Sequence, residues 1–184
     1  MEQTAVYINI LIIILELCGF YISFKDFRWR IFIFYTEISN LIALLAALMI
    51  VARLPFAPLW RYCAVVMLVM TFLITLFILV PTFENGMKIL MLSGNGLFHH
   101  LLVPLLSFFS YLFLEAHDSR WYVPVIISLI YGLGMFYLNY LNKMDGPYPF
   151  FRVHKLGLKK SIEWIFVLFA IISTIALSVM AIAG

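Results

Sequence analysis

Charge is scarce in this 184-residue chain. Lys, Arg, Asp and Glu supply 11% of it, against roughly 25% in soluble globular domains. So little charge cannot coat a water-facing surface of this size, and it excludes a disordered chain, which needs high charge and few apolar residues. The formal net charge of +3 is scattered, with no Lys/Arg run. No nucleic-acid partner is expected. Cysteine is limited to Cys18 and Cys63, both in apolar stretches, where a free thiol reads as a small buried hydrophobe. No Cys/His spacing resembles a zinc or haem site, so no metal and no cofactor is expected. Glycine is sparse: Gly94 and Gly96 form an isolated pair, short of any phosphate-binding loop. No GxSxG elbow occurs, and no two glycines stand four apart, which excludes GxxxG helix packing. The first apolar run carries Glu2 where a signal peptide has basic residues, and it is too long for one.

What is abundant is hydrocarbon. Hydrophobic residues make up 65% of the chain, and the mean hydropathy is +1.08. The fold class this predicts is all-α: a polytopic integral membrane protein, a six-transmembrane-helix bundle in one domain over 1–184. A bilayer core of about 30 Å needs about 20 apolar residues in a helix. Six runs qualify, at about 7–24, 31–52, 62–80, 97–114, 122–141 and 162–183. Trp29, Trp60, Trp121 and Trp164 sit at run ends, as an aromatic belt predicts. Pro81 closes the third run, Pro124 falls in the first turn of the fifth, and Pro104 is expected to kink the fourth. No internal repeat or low-complexity tract interrupts the pattern.

Nine basic residues fall in the first, third and fifth connections: Lys25, Arg28, Arg30, Lys88, Lys143, Arg152, Lys155, Lys159 and Lys160. Three, Arg53, Arg61 and Arg120, fall on the other side. The positive-inside rule then puts the odd-numbered connections in the cytoplasm and both termini outside a multi-pass protein of the plasma membrane.

Polar groups inside hydrocarbon are costly and tend to mark function. The second span opens Tyr35-Thr36-Glu37-Ile38-Ser39-Asn40, with Thr36 and Asn40 on one helix face, Ser39 beside them, and Glu37 about 100° round. Thr36 is expected about 7–8 Å inside the membrane edge, counting from residue 31. The fourth span opens with His99 and His100 at similar depth under the same face, and the long fifth connection with Tyr148 and Phe150 borders it. A Thr hydroxyl becomes a nucleophile when a base takes its proton, and neutral His is the usual base. Glu37 or Glu16 could orient that base. Asn40, Asn95 or backbone N–H groups near Gly94–Gly96 could face an oxyanion. Each residue also has a structural alternative. A membrane Thr commonly bonds the carbonyl four residues back. Ser39 and Asn40 could join helices, each His could be interfacial, Glu37 could pair with Arg30, and Glu16 could be held by Thr71 or Thr75.

Three motifs in these regions resemble a known family. Tyr35-Thr36-Glu37-Ile38-Ser39-Asn40, His99-His100-Leu101-Leu102-Val103-Pro104, and Gly146-Pro147-Tyr148-Pro149-Phe150-Phe151 followed by Arg152-Val153-His154 are similar to those of six-pass bacterial membrane proteins related to the eukaryotic androgen-induced membrane hydrolases. The Tyr-Pro-Phe motif is the most specific, and the likeness runs along essentially the whole chain. The resemblance implies hydrolysis of fatty-acid esters of hydroxy fatty acids by an intramembrane Thr and a His. The Thr carries over to Thr36. The bacterial pattern, counted back from Pro104, favours His100, and the eukaryotic spacing favours His99. The eukaryotic segment after the Thr lacks the Ser39-Asn40 pair.

The expectation is therefore an intramembrane hydrolase of branched fatty-acid esters, with membrane lipids or such esters as substrate. Two alternatives stay open: a membrane acyltransferase, and a non-enzymatic small transporter or lipid-binding protein whose polar path holds Glu16, Glu37 and the His pair. The sequence sets no oligomeric state.

Overall fold

The computed structural model describes residues 2–183, and among these every regular element is helical. Among the described residues, five helices are long and apolar enough to cross a membrane. They are α1 (Glu2–Phe27), α3 (Ala57–Ile74, extended by a π-turn over Thr75–Leu79), α4 (Gly94–Leu114), α5 (Tyr122–Tyr140) and α6 (Leu158–Ala183). The sixth, α2 (Tyr35–Val51), is apolar but has 17 residues, the short end of what spans a bilayer core. The protein is an all-α, membrane-type helical bundle.

α3 sits at the centre. It packs against α2, α4, α5 and α6, and 56% of its apolar window is buried against 33% or less in the other four long helices. Its run from Tyr62 to Leu68 is wholly inaccessible, as expected of a helix apolar all round. The outer helices show the reverse of a soluble protein. Tyr21, Ile130, Phe113 and Phe166 point outward, while Asn9, Glu16, Ser23, Glu37, Asn40, Arg61 and His99 are buried. Polar groups that hydrocarbon cannot solvate have been collected between the helices.

Several boundaries differ from the hydropathy reading. α2 starts at Tyr35, not at 31, because 28–33 form a 3₁₀ turn and Phe34 is extended at φ −92°, ψ 131°. Apolarity alone cannot distinguish an apolar turn from an apolar helix. Thr36 is consequently the second helical residue, in the first turn, rather than a turn and a half inside. α3 starts five residues early, at Ala57, with Pro58 in its first turn, where a missing N–H costs nothing. Arg61 therefore belongs to α3 and is fully buried; it is not the loop cation that the charge count assumed. α4 carries a π-turn over Leu97–Leu102 directly before Pro104.

Candidate active site

The N-terminus of α2 supplies the centre. Thr36 Oγ1 lies 3.3 Å from His100 Nε2 and 3.4 Å from the Tyr148 hydroxyl. His100 Nδ1 lies 2.6 Å from the Leu90 carbonyl oxygen. A carbonyl only accepts, so Nδ1 carries the proton and Nε2 offers its lone pair to the Thr36 hydroxyl. Leu90 ends the short helix Gly86–Leu90, and its carbonyl can come this close because Gly96 has no side chain. A Cβ there would stand 2.3 Å from Leu90 O.

Tyr148 closes the other side. The Thr36 amide, one of the N–H groups that α2 leaves unpaired at its start, donates to the Tyr148 oxygen at 3.3 Å. The phenol proton remains for Thr36 Oγ1 or for a negative oxygen formed beside it. Burial pushes the Tyr148 hydroxyl above the ordinary phenol range, which keeps it a donor. The positive end of α2 adds to the same field. Phe150 stacks on Tyr148 at 5.2 Å and rests against Trp164 of α6, fixing the phenol.

Asn40 and Ser39 act on the scaffold. Asn40 Nδ2 donates to the Thr36 carbonyl at 2.7 Å and to the His99 carbonyl at 3.2 Å. The second bond has a local cause: Val103 N–H reaches Phe98 O in the π-turn, the next donor in that register would be residue 104, and proline has none. Asn40 satisfies the carbonyl that is left. Ser39 donates to the Thr36 carbonyl at 2.8 Å and meets Thr71 at 3.0 Å. Asn95 Nδ2 is spent on Ser23 at 2.8 Å and Glu37 at 3.2 Å. The amide hydrogens of Asn40 and Asn95 thus leave no donor facing Thr36 Oγ1, whereas the Tyr148 hydroxyl lies 3.4 Å from it.

His99 does not face Thr36. It is buried between two carboxylates, Glu37 at 3.2 Å from Nδ1 and Glu16 at 3.3 Å from Nε2, with its ring edge-on to Phe20. Glu37 also accepts from Ser23 at 2.9 Å. Glu16 is therefore held by His99, whereas Thr71 serves Ser39, and Glu37 is engaged inside the bundle with Ser23, Asn95 and His99.

From Thr36 and Tyr148 an apolar cleft runs between α3, α5 and α6, bounded by Met70, Ile74, Leu129, Leu168, Phe169 and Ile172. Most hydroxyls on its wall are already bonded: Tyr35 with Ser128 at 2.7 Å, Tyr131 to the Ile33 carbonyl at 2.7 Å and Thr71 with Ser39 at 3.0 Å. Thr75 also lines it; the rest of the wall away from Thr36 and Tyr148 is apolar or already bonded, which suits a hydrocarbon chain. No family model, curated protein or solved structure matches this chain. Among the described residues no His, Cys, Asp and Glu group has the arrangement of a metal site.

Proposed function

We propose that the protein is an intramembrane hydrolase of lipid esters in which Thr36 is the nucleophile and His100 the base. One observation carries this reading: a Thr hydroxyl faces the unprotonated nitrogen of a tautomer-fixed His at the head of an apolar cleft that ends on that hydroxyl. The likeness of the Thr36, His100 and Tyr148 segments to the androgen-induced hydrolases agrees with it.

The substrate's acyl chain lies in the cleft with its ester carbonyl at Thr36. His100 Nε2 takes the hydroxyl proton as Thr36 Oγ1 bonds to the carbonyl carbon. The negative oxygen is met by the Tyr148 O–H and the positive end of α2. Collapse breaks the bond to the alcohol, which leaves with the proton from His100. Water, giving its proton to His100, then attacks the acyl-threonine; collapse returns the proton to Thr36 and releases the fatty acid. The proposed setting is the plasma membrane, with the odd-numbered connections cytoplasmic.

The test is covalent labelling by a fluorophosphonate probe together with turnover of a branched fatty-acid ester. Wild type is labelled at Thr36 and turns the ester over; Thr36→Ala and His100→Ala do neither while remaining folded. Turnover by Thr36→Ala at the wild-type rate refutes the assignment. Product analysis with an added lipid alcohol separates hydrolysis from acyl transfer.

A further inference from the structure

The proposed reaction leaves the most conspicuous buried group unused. His99, Glu16 and Glu37 are almost wholly inaccessible, and burying one imidazole and two carboxylates is expensive unless the arrangement does something. We infer that His99 is a positioning residue: held between Glu16 of α1 and Glu37 of α2, it sets the rotation of α4 that keeps His100 on Thr36. The inference rests on the Thr36–His100 reading.

Two neighbouring residues of α2, Thr36 and Glu37, meet two neighbouring residues of α4, His100 and His99. The crossing is therefore pinned twice, and turning α4 about its axis breaks both contacts together. The second pin is the stiffer one. His99 has a carboxylate at each ring nitrogen, from two different helices, while His100 has a single contact to Thr36 at 3.3 Å. The His99 ring also has no room to move towards α1. It lies against Gly19, where a Cβ would stand 2.2 Å from Nε2. Below it, Asn40 ties the His99 carbonyl to the Thr36 carbonyl, so the same residue is fixed at main chain and side chain. His99 and His100 both lie in the π-turn over Leu97–Leu102, a departure from regular α-helical bonding that is frequent at functional sites, and the two carboxylates fix the His99 ring within it.

The test follows the fluorophosphonate probe on the purified full-length protein in lipid nanodiscs, comparing wild type with His99→Gln, Glu16→Gln and Thr36→Ala. Each preparation is first checked for a single size-exclusion peak and an unchanged helical spectrum. His99→Gln and Glu16→Gln are expected to slow the maximal labelling rate about 100-fold, the effect of misplacing a reacting group by about 1 Å. The probe concentration giving half-maximal rate should stay at the wild-type value, because the cleft is untouched. Glu16→Gln keeps the side chain's shape, so it carries the test if His99→Gln fails to fold. Wild-type rates in both variants, or a loss confined to the half-saturating concentration, overturn the positioning role and leave the Thr36–His100 reading standing. Absence of Thr36 labelling in the wild type overturns both.

Discussion

Glu115→Ala is predicted to be among the most destabilising single changes in this protein, although Glu115 touches neither Thr36 nor the cleft. The Arg61 side chain is completely buried near the start of α3, and the Glu115 side chain is 3% exposed at the end of α4. Arg61 Nε donates to Glu115 Oε2 at 2.7 Å and Nη2 donates to Oε1 at 3.2 Å. Arg61 also donates to Asn9 Oδ1 and, at 3.3 Å, to Ser107. Glu115 in turn accepts from Asn9 at 2.8 Å and Ser110 at 2.6 Å. Removing the carboxylate leaves a guanidinium buried without its counter-charge and strands two neutral donors. Breaking a buried ion pair from one side costs about 3–5 kcal/mol. Since every 1.4 kcal/mol is tenfold, a loss near 4 kcal/mol shifts the folded-to-unfolded ratio roughly a thousandfold. Reversible unfolding in mixed micelles, read by tryptophan fluorescence, measures it. The double variant Arg61→Met with Glu115→Leu should recover most of the loss, because no charge is left to strand. A Glu115→Ala protein within about 1 kcal/mol of wild type, well under that range, would show that water reaches the pair, and the reasoning would fail.

Three further outcomes follow from the site. On the proposed mechanism, Tyr148→Phe removes the oxyanion donor and should lower kcat by roughly 10²–10³ with KM little changed; a wild-type kcat in steady-state ester hydrolysis would remove Tyr148 from the mechanism. Gly19→Ala places a methyl where His99 Nε2 lies; it should slow probe labelling of Thr36 at least tenfold, by the sensitivity of reacting groups to small displacements, and wild-type labelling would show that the His99 ring is free to shift. Ile172→Trp adds bulk to the α6 wall of the cleft; a series of ester chain lengths should show long chains lost and short ones retained, whereas an unchanged profile would mean that the acyl chain lies elsewhere.

The fold was legible in the sequence because the signal was collective: long apolar runs leave few alternatives to a helical bundle. The start of α2 was not. Residues 31–34 are apolar and hydropathy extends the helix through them, yet an extended Phe34 exposes the Thr36 amide that Tyr148 needs. Within the candidate site, the gathering of Thr36, His100 and Tyr148 was legible from their common depth. The choice between His99 and His100 was not, because adjacent residues on a helix differ by about 100° in direction, and the π-turn and Leu90 decide which ring faces Thr36. The Arg61–Glu115 pair was not legible because both residues stand at run ends, where charge reads as solvated.

The spacing of α1 carries one more signal. Ala5, Asn9, Ile12, Glu16, Gly19 and Ser23 alternate four and three apart, and all are buried. This is the seam of a packed helix, with polar residues at every second position. Asn9 and Ser23 are about 21 Å apart along the axis, so the seam carries polarity through most of the bilayer core. Its two ends are built differently. The Asn9 end, with Arg61 and Glu115, has its hydrogen bonds made. The other end is held by charge: His99 Nε2 faces Glu16 Oε2 at 3.3 Å and Nδ1 faces Glu37 Oε2 at 3.2 Å, while Glu16 Oε1 and Asn40 Oδ1 are buried there without a hydrogen-bond partner among the described residues. Orphaned polar atoms lower stability, and a fold keeps them where chemistry needs them. On the proposed function, the fully bonded network at the Asn9 end is a structural clamp, and the incompletely bonded one beside Thr36 belongs to the reaction centre.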